Sequence, residues 1–320
     1  MAPVYPNHVN RILITGGAGF IGSNLVHFLQ DKTDSLGNPL NITVLDSLTY
    51  AGNIENLEGA TYNFVQGDVR DVDIVNDLVS KTDVVFHLAA ESHVDRSIEG
   101  PEIFIDTNVR GSLNILEAAR KFSKRVLLIS TDEVYGSLET GFADESFPIE
   151  PSSPYSASKA AADLLALAYH KTYELDVVIT RCSNNFGPRQ FPEKLIPLAI
   201  FKILQNQQIP IYGNGLNVRD WIHVYDHCAG LYLAMLSGKS GQVYNFGNNE
   251  QYTNIEIVKK LLEIMEKSFE HISFVEDRSG HDFRYAVNSE RARRELGWLP
   301  VRSLARDLQE VVSFYRAQQK

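Results

Sequence analysis

Residues 11–29 read RILITGGAGFIGSNLVHFL, and this stretch decides the fold. A short apolar run leads into Gly16, Gly19 and Gly22, and a helical pattern follows at once. The first glycine permits a tight turn, the second lets the backbone approach a pyrophosphate, and the third allows close helix–strand packing. The helix N-terminus adds free N–H groups and a positive dipole end. A glycine pattern alone would be weak, but strand, glycines and helix together predict a dinucleotide-binding turn.

Apolar runs alternate with helical stretches through the first half of the chain. Runs without polar alternation are typical of strands buried on both faces, and strands alternating with helices indicate a parallel sheet with right-handed crossovers. We therefore predict an α/β fold, a Rossmann-type doubly wound parallel sheet with a smaller mixed α/β C-terminal substrate domain. The predicted strands are 11–15, 42–46, 62–66, 83–88, 125–130 and 176–180, and the predicted helices are 21–32, 71–81, 101–121 and 155–173.

The pattern changes after about Arg181, where short strands, loops and scattered Pro and Gly take over. We expect residues 1–181 to form the dinucleotide-binding domain and residues 182–320 to form mainly the substrate domain. A segment near 217–247, including the strand-like WIHVYD of Trp221–Asp226, is expected to return to the main sheet. The tail carries two further helical patterns, 254–268 and 304–318.

Composition excludes several classes of protein. The 320 residues are 44% hydrophobic and 22% charged, and the net charge of −10 argues against nucleic-acid binding, although a pocket can still be basic. No run approaches the roughly 18 uninterrupted apolar residues of a membrane helix. Met1–Arg11 does not resemble a signal peptide. Cys182 and Cys228 lack metal or disulfide-framework spacing, and no histidine pair has zinc-ligand spacing with a suitable third ligand, so we expect a cytoplasmic, metal-free protein.

Asp46 ends the second predicted strand, where an acidic residue can accept hydrogen bonds from an adenosine ribose. A carboxylate at this position would repel a 2'-phosphate. The sequence therefore predicts NAD rather than NADP, although a strand-end aspartate in a turn is the alternative interpretation.

Tyr155 and Lys159 lie four residues apart at the start of a helix and so share one face. A tyrosine pKa of about 10 makes a poor base at neutral pH, but a nearby ammonium and an oxidised nicotinamide favour the phenolate. The preceding strand ends in Ser130–Glu133, at the sheet edge where ligands bind. The helix is also apolar on more than one face, which predicts a homodimer.

Six stretches carry a resemblance that covers nearly the whole chain. They are TGGAGFIG, LAAESHVDRS, STDEVYG, PYSASK, NNFGPRQFPEKLIP and PIYGNGLNVRDWIHVYDH. Together they resemble the dTDP-glucose 4,6-dehydratases, members of the extended short-chain dehydrogenase group. The adjacent Asp-Glu pair of STDEVYG is the specific element, because sugar epimerases of that group usually lack it.

The resemblance implies a role for each catalytic residue. Thr131 would hydrogen-bond the sugar near C4, Tyr155 would be the base for the 4-hydroxyl, and Lys159 would hold the ribose and lower the tyrosine pKa. Glu133 would remove the C5 proton, and Asp132 would donate a proton to the departing C6 hydroxyl. NAD would take a hydride from C4 and return it to C6. The product would enter deoxysugar biosynthesis, with rhamnose for surface polysaccharides as the natural example.

The resemblance also implies two sets of ligand contacts. Those to the cofactor are Gly16, Gly19, Phe20, Ile21, Gly22, Asp46, Ser47, Leu48, Thr49, Asp68, Val69, Leu88, Ala89, Ala90, Glu91, Thr107, Tyr155, Lys159 and Asn185. Those to the sugar nucleotide are Ser92, Thr131, Asn184, Lys194, Leu195, Pro210, Ile211, Tyr212, Arg219, Asn254, Asp277, Arg278, Ser279, Gly280 and His281. Guanidinium groups such as those of Arg219 and Arg278 suit phosphate, although a surface salt bridge is the simpler role for either.

The chain departs from the family pattern at two positions. Ser279 stands where the family usually has proline, and Phe283 stands where a basic residue usually precedes RY. Both bear on the base rather than on the chemistry, so a UDP-sugar dehydratase stays open, as does a nucleotide-sugar 4-epimerase or decarboxylase. A non-catalytic dinucleotide-binding regulator is a third alternative, but such proteins typically lose the Tyr/Lys pair.

Overall fold

A seven-stranded, wholly parallel sheet forms the centre of the protein, and it confirms the predicted fold class. The computed structural model describes residues 9–318, so most of the stretch Met1–Arg11 discussed above lies outside the described residues. The strands of this sheet are β1 (Arg11–Thr15), β2 (Asn41–Asp46), β3 (Asn63–Gln66), β4 (Val84–His87), β5 (Arg125–Thr131), β6 (Val177–Cys182) and, much later in the chain, β10 (Val243–Phe246).

The strand order is β10-β6-β5-β4-β1-β2-β3. The order reverses between β1 and β4, and ligands bind beyond the carboxyl ends of strands at such a switch point. Strands β1, β4, β5 and β6 are almost wholly buried along their length. Burial on both faces explains why the sequence shows continuous apolar runs there.

Helices cover both faces of the sheet and build the second half of the chain. They are α1 (Phe20–Leu29), α2 (Val72–Ser80), α3 (Val94–Glu99), α4 (Glu102–Phe104), α5 (Ser112–Phe122), α6 (Pro154–Tyr173), α7 (Leu195–Leu204), α8 (Val224–Ser237), α9 (Asn254–Ile264), α10 (Glu290–Leu296) and α11 (Leu304–Gln318). Short 3-10 turns occupy Ile54–Leu57, Asp132–Tyr135 and Phe269–His271.

Two small sheets lie outside the central one. Strand β9 (Val218–His223) pairs with β7 (Asn184–Phe186) in parallel and with β11 (Gln251–Thr253) in antiparallel, while β8 (Ile209–Tyr212) pairs with β12 (Ile272–Val275). The prediction that Trp221–Asp226 returns to the main sheet is therefore wrong. The returning strand is β10, whose register against β6 runs from Val243–Ile179 to Phe246–Cys182.

The helix predicted over 101–121 is interrupted by a wide π-helical turn at Ile105–Gly111. The Asn108 side chain leaves the helix direction and binds its neighbours: its amide nitrogen donates to Glu91 O and Ser158 Oγ, and its oxygen accepts from Glu91 N. At the end of the same turn, Ser112 Oγ donates to the Asn108 carbonyl at 2.5 Å, a side-chain bond that competes with the backbone ladder.

Helix α6 carries the predicted Tyr/Lys pair and begins sharply. Ser153 and Ser156 form a capping box, and Pro154 occupies the first turn, where its missing N–H costs nothing. Further along, Asp163 accepts from Arg181 Nε at 2.8 Å, and both side chains are buried. This pair ties α6 to β6 beneath the reacting end of the helix.

Residues 9–318 can be compared with the requirements of a membrane span and of a metal site. Within that range no helix is long and apolar enough to cross a membrane. The same range contains no group of three or more His, Cys, Asp or Glu side chains placed to hold a metal ion.

Candidate active site

A deep cleft opens at the carboxyl ends of β1, β2, β4, β5 and β6. All predicted cofactor contacts except Leu48 line it, and so do all five predicted catalytic residues. Four of the predicted sugar-nucleotide residues also line the cleft: Ser92, Thr131, Asn184 and Lys194.

The glycine turn has the geometry that a dinucleotide cradle needs. Gly16 has φ +70°, and a Cβ there would lie 2.7 Å from Ala89 N at the end of β4. A Cβ on Gly22 would overlap the Gly16 carbonyl, so the third glycine lets α1 pack on the turn. A Cβ on Gly19 would meet only the Gly16 oxygen, at 3.3 Å, and otherwise point into space. That space suits a pyrophosphate, and no side chain caps the start of α1.

Replacing Gly19 by alanine should remove cofactor binding without unfolding the protein, because the added methyl occupies ligand space rather than protein space. We expect NAD affinity to fall about tenfold or more, by titration calorimetry, with an unchanged melting temperature. Gly100→Ala is the control, because Gly100 has φ −148°, lies outside the cleft and has only Arg96 O within 4 Å of an added Cβ. Wild-type NAD affinity in Gly19→Ala would contradict this placement of the pyrophosphate.

Asp46 joins the glycine turn to the loop that follows β2. Its Oδ2 accepts from Ala18 N at 2.9 Å and its Oδ1 from Leu48 N at 2.8 Å. Burial raises the pKa of this carboxyl, and the two backbone bonds lower it. A carboxylate oxygen has two lone pairs, so Asp46 can still accept a ribose hydroxyl, and its preference for NAD stays a prediction.

Three polar residues converge where β5 ends. Thr131 Oγ1 donates to Asp132 Oδ1 at 3.3 Å and accepts from Glu133 N at 3.3 Å. Burial, Glu133 and Asp220 raise the pKa of Asp132 well above its ordinary value. Burial also raises the pKa of Glu133, and the cations Lys194, Arg278 and Arg219 offset only part of that rise. The largest charge effects on Asp132 come from acids and those on Glu133 from cations, an asymmetry that suits one acid and one base.

Tyr155 lies beside this group, and Thr131 hydrogen-bonds its hydroxyl. Burial and the charge of Glu133 raise the pKa of Tyr155 well above its ordinary value. The lowering expected from Lys159 together with an oxidised nicotinamide stays a prediction. Lys159 donates to Ile129 O at 2.7 Å. Burial lowers the pKa of Lys159, and Asp163 raises it.

A cluster of cations lies beyond Glu133 in an otherwise acidic protein. Lys194 donates to Ser92 O at 3.0 Å, and Arg278 donates to Asp95 at 3.2 Å. The Arg219 guanidinium donates to the carbonyls of Val218, Asp282 and Phe283. Since all three cations act on Glu133, positive charge gathers at one end of the cleft, as a diphosphate requires.

The remaining predicted sugar-nucleotide residues do not line the cleft. They lie on the small sheets, on the loops around them or at the first residues of α7 and α9, and they are Leu195, Pro210, Ile211, Tyr212, Arg219, Asn254, Asp277, Arg278, Ser279, Gly280 and His281. Ile211 is buried in the core of this layer, so only its backbone could reach a ligand. Tyr212 and Arg278 are connected to the cleft wall through Asp95 on α3.

Several cleft residues escaped the sequence analysis. Tyr50 and Phe191 contact edge to face, with centroids 5.6 Å apart, and the Arg96 guanidinium stacks 3.8 Å from the Tyr50 ring centroid. Cys182 is buried and also lines the cleft. The strand-end position of Cys182 and the motif containing Phe191 were the available signals. The other lining residues missed are Leu45, Ala51, Gly52, Gly67, Arg70, Ile103, Ile129, Ser130, Ser183, Gln190 and Glu193.

A Rossmann sheet, a glycine turn and a Tyr/Lys pair beside the sheet switch point define an enzyme of the extended short-chain dehydrogenase class. The sequence pattern of the GDP-mannose 4,6 dehydratase family matches residues 13–311, and the chain belongs to that family.

The individual relatives of the chain include dehydratases and an epimerase. The chain is 47% identical to a dTDP-glucose 4,6-dehydratase of Streptomyces niveus, over 96% of this chain and 93% of that relative. DesIV of Streptomyces venezuelae, a dTDP-glucose 4,6-dehydratase solved with NAD bound, superposes with a TM-score of 0.92 at 45% identity, covering 97% and 98% of the two chains. A UDP-glucose 4-epimerase of Thermotoga maritima superposes with a TM-score of 0.89 but at 30% identity, covering 97% and 99%.

Proposed function

We propose that this protein is an NAD-dependent hydro-lyase, a dTDP-glucose 4,6-dehydratase that converts dTDP-glucose to dTDP-4-dehydro-6-deoxy-glucose and water. The observation that carries the proposal is the Thr131–Asp132–Glu133 group beside Tyr155. An epimerase acts only at C4 and has no use for a buried acid and base at the end of β5. The relatives named dTDP-glucose 4,6-dehydratases add independent support.

The chain's own residues divide the proton transfers among themselves. Tyr155 takes the proton of the 4-hydroxyl, and the Thr131 hydroxyl bonds both that phenol and the Asp132 carboxyl. A ketone at C4 makes the C5 proton acidic, and Glu133 removes it. Asp132, whose pKa burial and Glu133 raise well above its ordinary value, gives its proton to the leaving C6 hydroxyl. Bound NAD would supply the acceptor and later the donor of one hydride.

Lys159 and the glycine turn hold the cofactor's end of this arrangement. Lys159 is buried and fixed by Ile129 O, with Asp163 nearby to favour its charged form. The Gly16–Gly22 turn offers its backbone to the pyrophosphate. Lys194, Arg219 and Arg278 provide the positive charge for the diphosphate of the sugar nucleotide.

Mass spectrometry of dTDP-glucose after incubation with the protein and NAD tests this function. We expect loss of one water with no net NADH, because the hydride is returned within the turnover. Loss of water from UDP-glucose instead would change the nucleobase assigned to the substrate, at the end of the pocket where Ser279 and Phe283 depart from the family pattern. An unchanged mass with inverted C4 stereochemistry would replace the dehydratase with an epimerase.

We also infer a homodimer in the cytoplasm. Leu164 on α6 is 55% exposed and Ile105 on the adjacent wide turn is 50% exposed, which leaves apolar surface for a second copy. Both cysteines are free and buried, as in a reducing compartment. Light scattering of the purified protein would measure the assembly directly, and a monomer mass would refute the dimer.

A further inference from the structure

Asp95 on α3 is a carboxylate that contacts two residues from the nucleotide end of the site. Its Oδ2 accepts from the Tyr212 hydroxyl at 3.0 Å, and its Oδ1 accepts from Arg278 at 3.2 Å. These partners lie 117 and 183 residues away in the sequence. Burial raises the pKa of Asp95, but the bonds from Tyr212 and Arg278 lower it below its ordinary value.

A carboxylate beside a diphosphate site would repel the ligand unless its charge were paired, and Asp95 is paired with Arg278. Asp95 binds only one nitrogen of the Arg278 guanidinium, and within the described chain Arg278 Nε is buried without an acceptor. Because buried donors are normally paired, this guanidinium retains unused binding capacity toward an anion. Asp95 thus fixes the direction of the guanidinium without exhausting it.

Helix α3 is also packed against the reacting end of the site. Val94, directly before Asp95, forms a buried cluster with Phe104 and Tyr155, and the Phe104 and Tyr155 rings lie 6.3 Å apart. Since Val94 and Asp95 are neighbours on α3, this packing anchors the helix that carries Asp95.

We propose that Asp95 is a positioning residue that fixes Arg278 and Tyr212 at the nucleotide end of the site, so that the nucleoside diphosphate meets a guanidinium already held in place. The inference rests on the proposed function and extends it to a residue that does not touch the reacting atoms. Asp95 acts through its two partners and takes no proton in the reaction.

Asp95→Asn should weaken substrate binding without slowing the chemistry. We expect KM for dTDP-glucose to rise about tenfold, the usual scale for losing a hydrogen bond to a charged group, with kcat within about twofold of wild type. Glu99→Gln removes the same charge from the exposed end of α3 and should leave both constants unchanged. An unchanged KM in Asp95→Asn overturns the proposal.

Calorimetric binding of dTDP separates positioning from competition. If Asp95 acts through Arg278, Asp95→Asn weakens binding in the wild-type background and has little further effect in Arg278→Gln. Additive losses overturn that route. Tighter binding by Asp95→Asn also overturns it, because Asp95 would then merely compete with phosphate for the guanidinium.

Two further measurements distinguish a loss of positioning from a loss of folding and from failure of the proposed function. If Asp95→Asn lowers the melting temperature, Asp95→Glu is measured instead, and partial recovery of dTDP affinity supports positioning whereas none refutes it. If wild-type protein fails to dehydrate dTDP-glucose but binds UDP, the proposed function fails and the same variants are compared with UDP. Wild-type protein that binds neither diphosphate overturns both proposals.

Discussion

Tyr155→Phe should slow oxidation at C4 by about a hundredfold to ten-thousandfold, the range for removing a positioned general base. The variant loses only a hydroxyl, and the ring keeps its edge contact with Phe104, so the fold should persist. Single-turnover formation of NADH from enzyme, NAD and dTDP-glucose measures the step directly.

Tyr173→Phe provides a matched control for this substitution. It removes a hydroxyl from the same helix, α6, at a position that is 51% exposed and outside the cleft. Wild-type rates in Tyr173→Phe with a large loss in Tyr155→Phe assign the base to Tyr155. An unimpaired Tyr155→Phe would remove it from the mechanism.

Asp132→Asn should leave C4 oxidation intact and stop the loss of water, again by about a hundredfold or more. An amide cannot give a proton to the C6 hydroxyl, whereas Glu133 would still remove the C5 proton. We therefore expect deuterium from solvent to enter C5 in Asp132→Asn while water loss stalls. Mass spectrometry and proton NMR of the sugar report the two events separately.

Glu133→Gln is the informative counterpart, because it should stop deuterium exchange and water loss together.

The pH dependence of the elimination rate has a definite sign as well. Asp132 must be protonated to act, so the elimination rate should fall as pH rises through its raised pKa. Normal dehydration by Asp132→Asn would show that another group is the acid.

The sequence predicted the central sheet and the cofactor side of the cleft because both depend on local patterns. Strand β1 matches its predicted bounds, and the glycines that follow it line the cleft. The second half was harder, since Trp221–Asp226 and Val243–Phe246 are both apolar and only long-range pairing distinguishes them. In the π-helical turn the Asn108 side chain binds Glu91 and Ser158, and the spacing of residues in the sequence does not reveal these contacts.

The burial of Tyr155 was beyond the sequence for a different reason. The sequence places a lysine four residues away but gives no measure of desolvation, which is the largest cause of the raised pKa of Tyr155. The contacts of Asp95 were likewise invisible, since Tyr212 ends β8 and Arg278 lies in a loop, 117 and 183 residues away in the sequence.

The late return of the chain to the edge of the central sheet limits how this protein can be re-engineered. Strand β10 completes that sheet only after the chain has built β7, α7, β8, β9 and α8. A fragment ending at Arg181 would expose the edge of β6 that β10 normally covers, and strands of other chains could pair with this edge. Chimeras that exchange substrate specificity between relatives should therefore transplant loops rather than the C-terminal half as a cassette.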